Sequence, residues 1–156
     1  EKRLFARPQH ELVKILSQLG VAAELRNDRL IVEGRGWNLH GDTLLVPSQR
    51  SSQFVSSVLL NAWNLPFDLF VSRGGGGISE GYWQMSRWMA EQQGMKIDFW
   101  DHDFRVPKAQ QPNSQTINIE TDMSSAFALA AIAAVSGQAS ILDFPDKSLQ
   151  PDHVFT

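Results

Sequence analysis

The 156-residue chain contains no cysteine and no long hydrophobic run. Without cysteine it can form neither a disulfide framework nor a Cys-ligated zinc site, and it has no thiol nucleophile. The longest apolar run, residues 126–135, is far shorter than the ~18 residues of a membrane span, so no membrane association is expected. The absence of cysteine also fits a reducing compartment, and we expect a cytoplasmic protein.

The chain also lacks a strong excess of positive or negative charge. The chain has 14 Lys and Arg residues against 17 Asp and Glu residues, and its net charge of −3 argues against a general nucleic-acid-binding protein. Hydrophobic residues make up 42% of the chain, which is sufficient for a packed core. The length suits one domain or two small lobes. Because the chain begins at Glu1 rather than Met, we expect a piece of a longer protein.

Three short segments recur in the same order, 73 or 74 residues apart. They are residues 51–54 (SSQF) and 124–127 (SSAF), residues 43–46 and 116–119, and residues 19–21 and 93–95. Four matching letters alone would be weak evidence, but three blocks in one order indicate an internal repeat.

Each copy of the repeat is predicted to run α-β-β-β-α-β, from helical apolar spacing, Gly at helix ends and Ser at helix starts. In the first copy we predict a helix at 8–19, strands at 21–25, 29–33 and 43–46, a helix from 51, and a strand at 67–71. In the second we predict a helix at 81–93, strands at 96–100, 104–106 and 116–119, a helix at 124–135, and a strand at 139–142. The last helix is apolar on every side, which predicts complete burial.

Shifted by half its length, the repeat reads β-α-β-α-β-β, and this phase suggests the domain organisation. Residues 41–108 hold one whole unit, and residues 1–40 and 115–156 hold half a unit each. Residues 109–114, rich in Gln and interrupted by Pro112, are predicted to be a linker.

Four segments resemble motifs of the enolpyruvyl transferase family, and within it of the 5-enolpyruvylshikimate-3-phosphate synthases. They are Arg7-Pro8 at a helix start, residues 51–54, residues 79–82 (SEGY) and residues 121–126 (TDMSSA). Their order also matches, and the resemblance covers nearly the whole chain. The Ser-Ser-Gln sequence and the lack of a Cys before Arg7 favour the shikimate enzymes over the UDP-N-acetylglucosamine enolpyruvyl transferases.

The resemblance implies an α+β fold built of β-α-β-α-β-β units, with helices inside and sheets outside, in an incomplete lobe. Residues 1–108 would be part of the substrate-binding lobe, and residues 115–156 would cross toward the second lobe. The family transfers the enolpyruvyl group of phosphoenolpyruvate to shikimate-3-phosphate without a cofactor, and releases phosphate. Since the acid–base groups and several cations that this reaction needs are missing here, we expect the chain alone to be inactive.

Ser51, Ser52 and Gln53 are the strongest candidate ligand-binding residues. They lie at a predicted helix N-terminus, where free N–H groups, the helix dipole and two hydroxyls suit a phosphate. The alternative is an ordinary Ser N-cap. The resemblance implies that Ser51 and Ser52 hold the phosphate of shikimate-3-phosphate, that Gln53 contacts the bound substrates, and that Arg7 binds phosphoenolpyruvate.

Further site residues follow from the resemblance alone. Ser79 would add a hydrogen bond to the phosphate, and Tyr82 would pack near the shikimate ring. Asp122 would lie near the interlobe site, with a helix cap as the equal alternative. Glu80 and Gly81 replace a basic residue and a Pro of the family, and a carboxylate beside a phosphate is unfavourable unless it points away.

Other interpretations remain open. The chain could be a degenerate, non-catalytic binding module of the same fold or an enzyme like the UDP-N-acetylglucosamine enolpyruvyl transferases. It could also be a different enzyme on the same repeat, such as an RNA 3′-phosphate cyclase. The sequence Asp101-His102-Asp103 is predicted to be a turn, and no metal site is expected. We expect a monomeric parent protein. Because an isolated apolar helix or strand edge is costly, the fragment itself could form a dimer by exchanging the strand at 116–119 or the helix that follows it.

Overall fold

A computed structural model of the chain describes residues 9–27, 29–34, 36–49, 51–75, 80–113 and 116–155. In chain order the elements are α1 (Gln9–Gln18), β1 (Ala22–Arg26), β2 (Arg29–Glu33), β3 (Leu44–Leu45), α2 (Gln53–Leu60), β4 (Leu69–Ser72), α3 (Glu80–Gln92), β5 (Asp98–Trp100), β6 (Asp103–Val106), α4 (Met123–Ser136) and a 3-10 helix (Pro151–Phe155). The predicted α+β class is confirmed. The chain divides into two compact units, Glu1–Asn113 and Ser114–Thr156.

The first unit contains two sheets. Strands β1 and β2 form an antiparallel hairpin, and the larger sheet has the order β3-β4-β6-β5. In the larger sheet β3 and β4 run parallel, joined by α2 as a crossover, whereas β4–β6 and β5–β6 are antiparallel. The turns of the two hairpins contain Asn27 and Asp101, both with positive φ, at +49° and +55°.

Helices α1 and α3 end with the same backbone geometry, which supports the first part of the predicted repeat. Gly20 and Gly94 follow these helices with φ of +70° and +91°. In both copies the residue after the glycine donates its N–H to the carbonyl four residues before the glycine, at 2.9 and 3.0 Å. The residue before the glycine accepts an N–H from Asn38 in one copy and from Asn113 in the other. A Cβ at Gly20 would lie 2.8 Å from the Asn38 carbonyl oxygen, so glycine is required there.

The core lies between the inner face of the larger sheet and the helices that cover it. Alternate residues of each strand face inward, as period-two alternation requires. Among the most deeply buried side chains are Leu44, Val46, Val55, Leu59, Leu69, Val71, Phe104 and Val106. The buried Trp83 of α3 stacks on Phe104 with ring centroids 5.1 Å apart, which anchors this helix on the sheet.

Residues 109–113 are held by the first unit. The backbone of Gln110 accepts an N–H from Asn64 at 2.7 Å, and Ala109 donates to Leu65 at 2.8 Å. The side-chain amide of Gln110 also bonds both backbone groups of Lys96. The division of the chain into a lobe at 1–108, a linker at 109–114 and a crossing half unit stays a prediction.

Two strands predicted in the second unit are wrong. Residues 116–119 and 139–142 carry no strand, and the described residues 116–155 contain no sheet. A strand forms only beside a neighbouring strand that pairs with its backbone N–H and C=O groups. An alternating pattern of side chains does not by itself guarantee such a neighbour.

The predicted complete burial of the last helix is also wrong. Helix α4 forms, but Leu129, Ile132 and Val135 are 54%, 62% and 90% exposed. Only Met123 and Ala126 of this helix are buried. The described residues of its own unit form no sheet against which the helix could bury its remaining apolar sides.

Candidate functional site

Three connections of the first unit meet at one edge of the larger sheet. Because β3 and β4 are parallel, their carboxyl ends lie at the same edge, and the antiparallel β5–β6 turn also reaches it. Ser48 donates its hydroxyl and its N–H to the Arg73 carbonyl, at 3.1 and 3.4 Å. The Gln49 amide donates to the carbonyl of Gly74. These bonds join the segment before α2 to the segment after β4.

The Ser-Ser-Gln segment lies at this edge, where α2 begins. The Ser51 hydroxyl, one residue before the N-cap position, accepts the N–H of Gln53, the first residue of α2, at 3.2 Å. Ser52 is the N-cap residue by position, but its side chain makes no capping bond and is 5% exposed. Gln53 is exposed and Ser51 half-buried, so these two side chains are open to a ligand.

Helix α3 starts at the same edge and packs beside α2. The hydroxyl of Ser86 donates to that of Ser56 at 2.9 Å, which ties the two helices together. Tyr82 lies in the first turn of α3 and is 38% exposed. The predicted site residues Arg7 and Ser79 lie outside the residues that the structure describes.

Glu80, the first residue of α3, is directed toward Arg73. One guanidinium nitrogen of Arg73 lies 3.0 and 3.3 Å from the two carboxylate oxygens of Glu80. The same guanidinium donates through Nε to the His102 carbonyl at 2.8 Å and lies 5.1 Å from the ring centroid of Trp83. The sequence motifs predict no partner for Glu80. The basic residue directly after β4 is the signal that could have identified one.

Asp122 caps α4 in the second unit. Its carboxylate accepts the N–H of Ser125 at 3.2 Å and also the Ser125 hydroxyl. The hydroxyl of Ser125, and then the backbone N–H groups of Ser125 and Ser124, lower the pKa of Asp122. The helix-cap alternative for Asp122 is therefore observed, and an interlobe role stays a prediction.

The segment Asp101-His102-Asp103 forms the β5–β6 turn, as predicted. In the described part of the chain, no three His, Asp or Glu side chains are grouped as metal ligands would be. Nor is any described helix long and apolar enough to cross a membrane.

A groove of about 660 Å³ lies at the opposite edge, where β3 and β4 begin. It is lined by Asn38, Leu39, Gly41, Asp42, Thr43, Phe67, Asp68 and Phe70. None of the predicted site residues lines it. Its carboxylate Asp68 is already paired with Arg105 at 2.7 Å, and this bond together with the N–H of Lys108 lowers the pKa of Asp68. None of the described residues that line the groove is a cation that could bind a phosphate.

Comparison with known proteins matches residues 1–155 to the family model of EPSP synthase (3-phosphoshikimate 1-carboxyvinyltransferase). A 3-phosphoshikimate 1-carboxyvinyltransferase of Histophilus somni is 28% identical over 99% of this chain and 37% of its own length. That of Tropheryma whipplei (strain TW08/27) is 31% identical over 93% of this chain and 33% of its own. A pentafunctional AROM polypeptide of Malassezia globosa is 32% identical over 75% of this chain and 7% of its own. The chain thus spans little more than a third of the single-enzyme relatives.

Proposed function

The chain belongs to the EPSP synthase family, and from this membership we propose that the whole protein transfers the enolpyruvyl group of phosphoenolpyruvate to shikimate-3-phosphate. The C–O bond between the enolpyruvyl carbon and its phosphate breaks, a new C–O bond forms to the shikimate hydroxyl, and inorganic phosphate leaves. This chain would contribute part of the surface that binds the two substrates.

The observation that carries the proposal is the sheet edge at which α2 and α3 both begin. Free N–H groups in the first turn of a helix and its positive dipole end favour an anion. We assign the phosphate of shikimate-3-phosphate to the start of α2, with Ser51, Ser52 and Gln53 as contacts and Tyr82 beside the shikimate ring. Ser79 and Arg7 are proposed as further contacts from the resemblance.

The carboxylate of Glu80 does not oppose this assignment. Its oxygens are paired with Arg73, so their charge is largely neutralised by a close cation rather than directed at a bound phosphate. The departure of this chain from the family at position 80 is thus compatible with an anion at the same edge.

The chain alone is proposed to be inactive. Arg73, the one guanidinium described at this edge, is already committed to Glu80 and the His102 carbonyl. Phosphoryl and carboxylate groups of two bound substrates need several cations, and the reaction needs a proton donor and acceptor. In this proposal those groups come from parts of the parent protein beyond this chain, together with an interlobe contribution from Asp122.

The test is a titration of the ¹⁵N-labelled chain with shikimate-3-phosphate, followed by NMR, together with an assay for phosphate release from both substrates. We expect weak binding, with the largest shifts at Ser51, Ser52 and Gln53, and no phosphate release. Shifts confined to the groove around Asp42 and Asp68 would overturn the site assignment. Turnover by the pure chain would overturn its proposed inactivity.

The degenerate binding module remains the second candidate, because Glu80 and Gly81 depart from the family motif. Enolpyruvyl transfer by the parent protein would exclude it, whereas binding without transfer by that parent would establish it.

A further inference from the structure

Arg73 carries a charge that is almost wholly removed from solvent. Its side chain is 8% exposed, whereas that of its partner Glu80 is 41% exposed. Burying an unpaired guanidinium is costly, so such a group persists only where its donors are satisfied. Here Nη1 donates to the Glu80 carboxylate, Nε donates to the His102 carbonyl, and the guanidinium lies over the Trp83 ring.

These contacts connect the segments that form the candidate phosphate site: the segment before α2, the start of α3 and the β5–β6 turn. The carbonyl of Arg73 holds Ser48, which precedes the Ser-Ser-Gln segment. The Arg73 side chain binds Glu80, the first residue of α3, and the carbonyl of His102 in the β5–β6 turn. The hydroxyl bond between Ser86 and Ser56 continues the link from α3 to α2.

We propose that Arg73, through its pair with Glu80, is a positioning residue of the candidate phosphate site: it fixes the start of α3 against the start of α2 and does not itself bind the phosphate. This inference rests on the proposed function, since it assumes that the ligand binds at this edge. Two nitrogen atoms of the guanidinium donate to protein acceptors, and one face of the guanidinium lies against the Trp83 ring.

The direction in which one substitution changes the ligand affinity distinguishes a positioning role from a purely electrostatic one. Glu80→Gln removes a negative charge close to an anionic ligand, so a purely electrostatic role for Glu80 predicts tighter binding. The same substitution replaces a charge-assisted hydrogen bond by a weaker neutral one and loosens the start of α3. Positioning therefore predicts weaker binding, in spite of the more favourable charge.

The same helix supplies a matched control. Arg87 and Glu91 form a second Arg–Glu pair at 2.9 Å, with the guanidinium 3.6 Å from the Phe99 ring centroid. Glu91 lies in the last turns of α3, away from the helix start. Glu91→Gln thus makes the identical chemical change at a pair of the same kind that does not hold the candidate site.

The experiment measures the affinity of the full 156-residue chain for shikimate-3-phosphate by calorimetry. We expect Glu80→Gln to weaken binding about threefold to tenfold, the effect of weakening one charge-assisted bond, and Glu91→Gln to change it by less than about twofold. Tighter binding by the Glu80→Gln protein, or equal effects of the two variants, would overturn the inference. Circular dichroism and thermal melting confirm that each variant is folded.

A second measurement separates this inference from the proposed function. Amide hydrogen exchange without ligand is compared in the two variants at residues 48–53 and 80–84. Faster exchange at both segments in Glu80→Gln, but not in Glu91→Gln, supports positioning, and unchanged exchange overturns it. If the wild-type chain binds no shikimate-3-phosphate, the proposed function fails while the exchange experiment still decides the role of Arg73. Should Glu80→Gln fail to fold, Arg73→Lys against Arg87→Lys gives the same comparison.

Discussion

The two Ser-Ser segments of this chain, 73 residues apart, open helices with very different surroundings. Helix α2 lies on the larger sheet, and its residues Val55, Val58 and Leu59 are buried. Helix α4 is more apolar in sequence, yet Val135 and most of its other apolar residues are exposed. Both copies of the repeat thus form a helix at this place, whereas the burial of each helix depends on whether a sheet lies against it.

The helices also start differently relative to the shared serines. Helix α2 begins at Gln53, after both serines, and the Ser51 hydroxyl accepts the N–H of that first residue. Helix α4 begins at Met123, before its serines, because Asp122 supplies a stronger cap. Its Ser-Ser pair therefore lies inside the first turn instead of preceding it. This difference agrees with the hypothesis that only the first copy binds a phosphate.

The largest expected difference between the two helices is in stability. Leu59→Ala removes a side chain that is 0% exposed, and we expect it to lower the free energy of unfolding by about 2–5 kcal/mol. Leu129→Ala makes the same change at a side chain that is 54% exposed, and we expect less than about 0.5 kcal/mol. Urea denaturation measures both. Equal losses would show that α4 is buried in solution.

The next largest difference concerns the ligand. The double variant Ser51→Ala and Ser52→Ala should weaken binding of shikimate-3-phosphate about tenfold or more, since hydrogen bonds to a charged group are lost. The same change at Ser124 and Ser125 should leave the affinity unaltered. Calorimetry compares the two variants, and a loss of affinity in both would mean that the copies share one ligand or one folding defect.

The exposed side of α4 allows a prediction about association. We expect the isolated chain to dimerise through this helix, because Leu129, Ile132 and Val135 form an apolar surface whose exposure to water is unfavourable. Since residues 116–119 form no strand, helix exchange rather than strand exchange is the expected route. In sedimentation experiments Ile132→Glu should shift the protein toward monomer, and Gln92→Glu on the exposed side of α3 should not. A monomeric wild-type chain would contradict this expectation.

The smallest expected difference is the response of the two helix starts to acid. The pKa of Asp122 is lowered in the folded chain, so its contribution to stability is present above the ordinary aspartate pKa. That contribution is lost as the pH falls through the lowered pKa. The Ser51 hydroxyl at the start of α2 has no such ionisation. NMR chemical shifts should therefore show fraying of α4, but not of α2, below about pH 4, the ordinary range of an aspartate. Asp122→Asn should remove the dependence.

Much of the fold of the first unit was predictable from local signals. Gly20 and Gly94 mark helix ends because their left-handed backbone is costly for other residues. The hairpin turns at Asn27 and Asp101 follow from residues that tolerate the same conformation. Helical spacing predicted α1 to α4 within a few residues of their observed ends. Each of these features depends on only a few neighbouring residues.

The candidate site was predictable only in part. The motif resemblance identified the segments that begin α2 and α3, but the pair between Arg73 and Glu80 was missed. The two residues are separated by a glycine-rich segment of sequence, and nothing in the order of residues shows that the carboxylate meets the guanidinium. The burial of Arg73 depends likewise on Trp83 and His102, which other elements bring to it.

The sequence by itself determined the family, the repeat, the helices and the turns, because propensity, capping and periodicity act over one or two turns of chain. Only the tertiary structure decided which apolar helix is buried, which predicted strands pair, and which charges meet. Residues 116–119 form no strand and Val135 is exposed, because the described residues of their own unit form no strand or sheet that could meet them. Pairing and burial are relations between distant segments, and these form only when the folded chain brings both partners to the same place.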